Sequence, residues 1–261
     1  MDLGLSGRVA VVTGASKGIG LAVTSALSNE GVHVVAGARQ TTDELSALAT
    51  NGLVQVVEVD LSTETGPAEL VAAALERGRL DILVNNVGAV TPRLDGFLSV
   101  TDEQWWFSLT LNLMSAVRTT RAALPVMLEA GRGTIVATSS VNAFLPDPAV
   151  IDYSASKAAL ANFCKSLSKE LGPHHIQVNT VSPGPVSTAL WLGDGGVAET
   201  IARATGGDPE AITKSTLKQY KHSTAVTELM DFPDRGHSLV IDHGWREIAE
   251  ASLTWLQKNG L

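Results

Sequence analysis

The chain has 261 residues, of which 44% are hydrophobic and 18% charged, with a net charge of −8. That apolar content excludes an intrinsically disordered chain, and the acidic balance excludes a nucleic-acid surface, where basic side chains supply most of the affinity. No apolar run approaches the roughly 20 residues that span a bilayer, which excludes a membrane span, and because Met1-Asp2-Leu3-Gly4 has no basic region and no cleavable apolar stretch, no secretion signal is expected.

In chain order, Val9-Ala10-Val11-Val12 is a short apolar run that breaks into a glycine-rich turn, and reads as a strand buried on both faces. Ile19, Val23, Ala26 and Leu27 recur at helical spacing over 19–30, with Gly31 as the stop. The unit then repeats. Strands are expected over 32–36, 54–59, 81–86, 133–139 and 177–181, and helices over 43–50, 66–77, 101–130 and 153–171. Strands alternating with helices indicate an α/β fold, a doubly wound parallel sheet over about the first 185 residues. Its ligand crevice should lie beyond the carboxyl ends of the strands. The lone cysteine, Cys164, cannot form an internal disulfide, and a reducing, cytoplasmic setting is expected.

The turn Thr13-Gly14-Ala15-Ser16-Lys17-Gly18-Ile19-Gly20 joins a strand to a helix. Glycines there allow close backbone approach, and the helix N-terminus offers free N–H groups to a pyrophosphate. Gly14-Ala15-Ser16-Lys17-Gly18 also matches the G-x-S-x-G nucleophile elbow. Its place on the first strand, and the continuation of the dinucleotide pattern in Gly20, decide against a nucleophilic Ser16. In Tyr153-Ser154-Ala155-Ser156-Lys157, the phenol and the amine are four residues apart and share a helix face. A neighbouring ammonium stabilises a phenolate, so the expectation is a lowered phenol pKa and a general acid or base at Tyr153. Ser140 follows a strand thirteen residues earlier, Asn85-Asn86-Val87-Gly88 ends the fourth strand, and Asn112 lies within the long helix.

Taken together, these motifs resemble the short-chain dehydrogenase/reductase family, in particular its 3-oxoacyl thioester and small-ketone reductases. Five match in order: the glycine-rich turn, Asp60 after the third strand, Asn-Asn-x-Gly, Ser…Tyr-x-x-x-Lys, and Pro183-Gly184. The resemblance implies a Rossmann-type sheet and an enzyme that interconverts a small carbonyl compound and an alcohol. Tyr153 would exchange the proton at the substrate oxygen, Lys157 would lower the tyrosine pKa and bind the nicotinamide ribose, and Ser140 would position the substrate. Asn112 would anchor a water in a relay toward Lys157. Gly14, Ser16, Ile19 and Asn86 would line the dinucleotide, Asp60 would face the adenine, and Thr188, after Pro183-Gly184, would hold the carboxamide. No metal is expected. The family usually has alanine where Val87 stands.

Cofactor preference has its own physical argument. An acid ending the second strand would bind an adenosine ribose and repel a 2′-phosphate. That end reads Ala36-Gly37-Ala38-Arg39. Arg39 offers a guanidinium fork and Lys17 a second cation, so NADP(H) is expected over NAD(H).

From about residue 215 the family pattern stops. The expected domain is therefore 1–215, followed by a tail over 216–261 that resembles the carboxyl end of an α/β-hydrolase: a strand over 226–232, a loop with His237, and a helix over 245–258. A Ser–Asp–His triad is incomplete there, because no elbow serine exists outside the glycine turn and Asp208 follows no apolar strand. The tail reads as a fusion near 213–218 that docks as a seventh strand and helix on the same sheet. Apolar residues between glycines over 190–197 suggest a mobile lid, whereas Trp105-Trp106-Phe107 reads as helix packing. The family association implies a homodimer through the helices 101–130 and 153–171, with a tetramer left open by the altered C-terminus. Three functions are carried forward: a carbonyl reductase, a cofactor-binding protein whose catalysis is impaired by the tail, and a serine hydrolase.

Overall fold

A computed structural model of the chain describes residues 3–184 and 196–208. Among the described residues, six parallel strands form one sheet: β1 Val9–Thr13, β2 His33–Ala38, β3 Val54–Glu58, β4 Ile82–Asn85, β5 Gly133–Thr138 and β6 Ile176–Val181, in the order β3-β2-β1-β4-β5-β6. The chain winds outward from β1 in one direction and then from β4 in the other. The topological switch point, where such sheets bind ligands, therefore lies between the carboxyl ends of β1 and β4.

Alternation along β1 divides the core. Val9 and Val11 face one side, with Leu83 and Ile135 of the neighbouring strands, and pack on α3 (Gly66–Leu75), α5 (Ser115–Ala130) and α6 (Ile151–Leu171). Ala10 and Val12 face the other side and pack on α1 (Gly18–Asn29) and α2 (Asp43–Ala49). Burial on both faces explains why β1, β2 and β4 are continuous apolar runs rather than alternating ones. Beyond the switch point, α4 (Asp102–Leu109) begins with a capping box between Thr101 and Gln104.

The stretch expected as one helix over 101–130 is interrupted. Between α4 and α5, Thr110–Met114 forms a π-helical turn, an insertion that re-aims side chains at the cost of regular bonding. The aromatic run also departs from expectation. Trp105 is half-buried, but Trp106 and Phe107 are 68% and 51% exposed, because the inward face of this short helix is taken by Ser108. Other boundaries lie within a few residues of those expected.

Residues 196–208 carry α7 (Val197–Thr205), which ends at Gly206 in the left-handed region and holds an Arg203–Glu199 pair at 2.6 Å. The expected strand over 226–232, the helix over 245–258, His237, Thr188 and most of the lid segment lie outside the described residues. Among the described residues no helix is long and apolar enough to cross a membrane, and no group of three metal-ligating side chains occurs.

Candidate active site

The end of β1 is held to the end of β4 by one hydroxyl. Thr13 Oγ1 accepts from the backbone N–H groups of Asn86 and Val87 at 2.7 and 3.0 Å and donates to the carbonyl of Val84 at 3.2 Å. Asn86 extends the same clamp. Its Nδ2 donates to the carbonyls of Thr13 and Gly14 at 3.0 and 3.3 Å, and its Oδ1 accepts from Thr138 Oγ1 at 3.2 Å. Asn86 thus joins three strand ends and fixes the shape of the glycine turn. Nothing in the sequence pointed to these bonding roles of Thr13 and Thr138. The available signal was a single polar residue closing each apolar run.

The turn leaves no room for a side chain at Gly14 or Gly20. Gly14 has φ +68°, and a Cβ there would lie 2.9 Å from Cα of Val87. A Cβ at Gly20 would meet the carbonyl oxygen of Gly14 and the amide nitrogen of Asn86. No side chain caps α1, whose N-cap residue is the exposed Lys17, so its first N–H groups remain available to an anion. This cradle fits the pyrophosphate of a dinucleotide. Ser16 and Ile19 are half-buried along it, and the Ser16 carbonyl accepts from Thr42 Oγ1 at 2.9 Å.

On the β2–β3 side, Arg39 is exposed at the end of β2. Asp60 is also exposed, and its Oδ1 accepts from the backbone N–H and hydroxyl of Ser62 at 2.9 and 2.7 Å. Those bonds hold its carboxyl below the ordinary range, with a smaller contribution from the charge of Arg39. Glu58, paired in register with Ala38, accepts from both the backbone N–H and the hydroxyl of Thr41 at 2.9 and 2.8 Å.

On the β4–β5 side, α6 carries Tyr153 in its first turn and Lys157 one turn later. Lys157 is 3% exposed and donates from Nζ to the backbone carbonyl of Thr138 at 2.7 Å. Burial pushes its pKa down to about 8, with a small opposing contribution from Cys164. Tyr153 is half-buried, and burial raises its phenol pKa, against a hydrogen bond with Ser140 that favours the phenolate. The expectation of a lowered phenol pKa is therefore corrected. The ammonium is aimed at Thr138 and lies 5.7 Å from the centre of the tyrosine ring, so desolvation outweighs it.

Ser140 follows β5 in extended conformation, and its Oγ accepts from the backbone N–H of Asn142 at 3.2 Å. Pro183 supports this loop by accepting from the backbone N–H of Val141 at 3.0 Å; Gly184 follows it and is exposed. Asn112 sits in the π-helical turn, 1% exposed. It donates to the carbonyls of Ala89 and Ser108 at 2.9 and 3.0 Å and accepts from the backbone N–H of Ala89 at 3.0 Å. Gly88 lets these groups converge, since a Cβ there would lie 2.7 Å from Asn112 Oδ1 and 3.3 Å from Lys157 Nζ. Ser140, Tyr153, Lys157 and Asn112 thus gather beside the carboxyl ends of β4 and β5.

A family model described as short chain dehydrogenase matches residues 8–193. The dehydrogenase/reductase SDR family member 4 of Homo sapiens is 35% identical over 218 residues, covering 79% of this chain and 78% of its own. L-Sorbose reductase from Gluconobacter frateurii, solved with NADPH and L-sorbose, aligns with a TM-score of 0.73 at 36% identity over 84% of both chains. The 3-ketoacyl-(acyl-carrier-protein) reductase from Brucella melitensis, solved with NADH, aligns with a TM-score of 0.68 at 26% identity, over 84% of this chain and 92% of its own. Sequence, sheet order and the glycine cradle agree: the chain belongs to the short-chain dehydrogenase/reductase family, oxidoreductases that depend on a nicotinamide dinucleotide.

Proposed function

We propose that the chain is an NADP(H)-dependent reductase of a small ketone or 3-oxoacyl compound. The observation that carries this reading is the convergence at the end of β5 of Ser140, which follows that strand, and of Tyr153 and the buried Lys157, one helical turn apart on α6, with Lys157 Nζ tied to the Thr138 carbonyl at 2.7 Å. Tyr153, with its pKa raised, holds its proton at neutral pH and is suited to donate it to a carbonyl oxygen. Ser140 orients that oxygen toward the phenol. A bound nicotinamide supplies the hydride in reduction or accepts it in oxidation. Lys157 and the backbone around Gly88 would meet its ribose, and Asn112 keeps the Ala89 backbone and the π-helical turn in place beside Lys157. The cradle of Gly14, Ser16, Ile19 and Gly20 would take the pyrophosphate.

Lys17 and Arg39 support a 2′-phosphate, and so NADP(H). Both are exposed cations, one in the glycine turn and one at the β2 end, while Glu58, which ends β3, has its Oε1 committed to Thr41. The test is a titration of NADPH and NADH by fluorescence, followed by turnover on acetoacetyl thioester, ethyl acetoacetate, cyclohexanone and L-sorbose. Reduction of at least one with NADPH preferred is expected. Tight NADPH binding without turnover of any of them would favour a cofactor-binding protein instead.

A further inference from the structure

The helix that presents Tyr153 starts without a side-chain cap, and Tyr153 lies in its first turn, where unpaired N–H groups make helices fray. A 3-10 turn over Pro148–Val150, capped by the Asp147 carboxylate, leads into that turn, and a second hold comes from another element. Arg93, on the loop after β4, forms a two-pronged ion pair with Asp152, the residue before Tyr153: Nη2 to Oδ2 at 2.7 Å and Nε to Oδ1 at 3.3 Å. The side chains are 9% and 3% exposed. The backbone N–H of Arg93 also donates to the carbonyl of Ala149 at 2.6 Å, just before α6 begins. One residue therefore grips both the entry to α6 and its first turn.

A pair this desolvated is weak evidence for stability, since burial offsets most of its attraction, but its fork geometry fixes position and direction. We infer that Arg93 is a positioning residue: through Asp152 it sets the orientation of the Tyr153 phenol toward Ser140 and the substrate oxygen. The inference rests on the reading of Tyr153 as the proton donor given above. It makes the loop after β4 part of the catalytic frame, although Arg93 itself touches no reacting atom.

The test compares R93M, R93K, the double variant R93M/D152L and Y153F, using NADPH and the panel ketone that the wild type reduces fastest. The double variant leaves no unpaired buried charge, so it stays folded even where R93M does not. A misplaced catalytic group lowers kcat rather than binding, so kcat should fall about 10- to 100-fold in both R93M and R93M/D152L. KM and the NADPH Kd should stay within about threefold of wild type, a split expected when only the reacting geometry is lost. R93K, which keeps a cation near Asp152, should recover part of kcat. Wild-type kcat in R93M/D152L while Y153F is inactive would overturn the positioning role alone. An active Y153F would overturn the reading of Tyr153 and this inference with it.

Discussion

Lys157 Nζ donates to the carbonyl of Thr138 at 2.7 Å and stands 5.7 Å from the centre of the Tyr153 ring. The ammonium is thus tied to the end of β5, inside a site that buries it. A buried cation costs stability and persists where function needs it. K157M should therefore lose turnover yet melt about 3–6 °C higher than wild type at pH 7, the shift expected for one to two kcal/mol in a chain of this size.

The pH dependence of that gain has a defined sign. Lys157 titrates at about 8 in the folded chain against 10.5 ordinarily, so between these values the unfolded chain binds more protons and wild-type stability rises with pH. Cys164, raised by burial to about 11 from 9.0, acts oppositely from pH 9 upward, because only the unfolded thiol ionises there. The wild-type melting curve should climb between about pH 8 and 9 and then flatten. The gap between K157M and wild type, which isolates the lysine, should narrow steadily from pH 8 to about 10.5. A gap constant with pH in thermal denaturation would show that Lys157 is not depressed.

Gly20 lies inside α1, where alanine would ordinarily be the better helix former. Here the added methyl would meet the Gly14 carbonyl and the Asn86 amide. G20A should lower Tm and, by opening the turn, weaken NADPH binding by about tenfold or more, since overpacking a closed contact costs about 1–3 kcal/mol. Fluorescence titration beside a thermal melt checks both.

Asn112 spends its amide on the Ala89 backbone and on Ser108. N112A leaves those buried groups unpaired and should cost about 1–3 kcal/mol in urea denaturation. Turnover should fall as well, since the backbone beside Gly88 faces the Lys157 amine.

Arg39 tests cofactor choice. R39A should raise the NADPH Kd about tenfold, the loss of one charge-assisted contact to phosphate, and leave the NADH Kd nearly unchanged. Equal effects on the two cofactors would remove the basis for an NADP(H) preference.

Much of this was legible in the residues alone. Short apolar runs, those of β1, β4 and β5 closing on Thr13, Asn85 and Thr138, marked the strands, and the four-residue spacing of Tyr153 and Lys157 placed both on one face of α6. What spacing cannot show is direction. Nothing local says that Lys157 reaches Thr138, that Asn86 ties three strand ends together, or that Arg93 meets Asp152 across 59 positions. The π-helical turn at Thr110–Met114 was equally hidden, because its apolar pattern continues that of an ordinary helix and only the bonds of Asn112 to Ala89 explain its usefulness. Trp106 and Phe107 mislead for a related reason: aromatic residues on a helix suggest burial, but which face turns inward is decided by neighbours distant in sequence.

The most direct measurement is single-turnover reduction by Y153F beside wild type, with NADPH affinity and Tm recorded on the same samples. Removing one hydroxyl should cut the chemical step by about 100- to 10,000-fold, the usual worth of a positioned acid or base, while cofactor binding and melting stay near wild type. Turnover within a few-fold of wild type would contradict a phenol that delivers the proton.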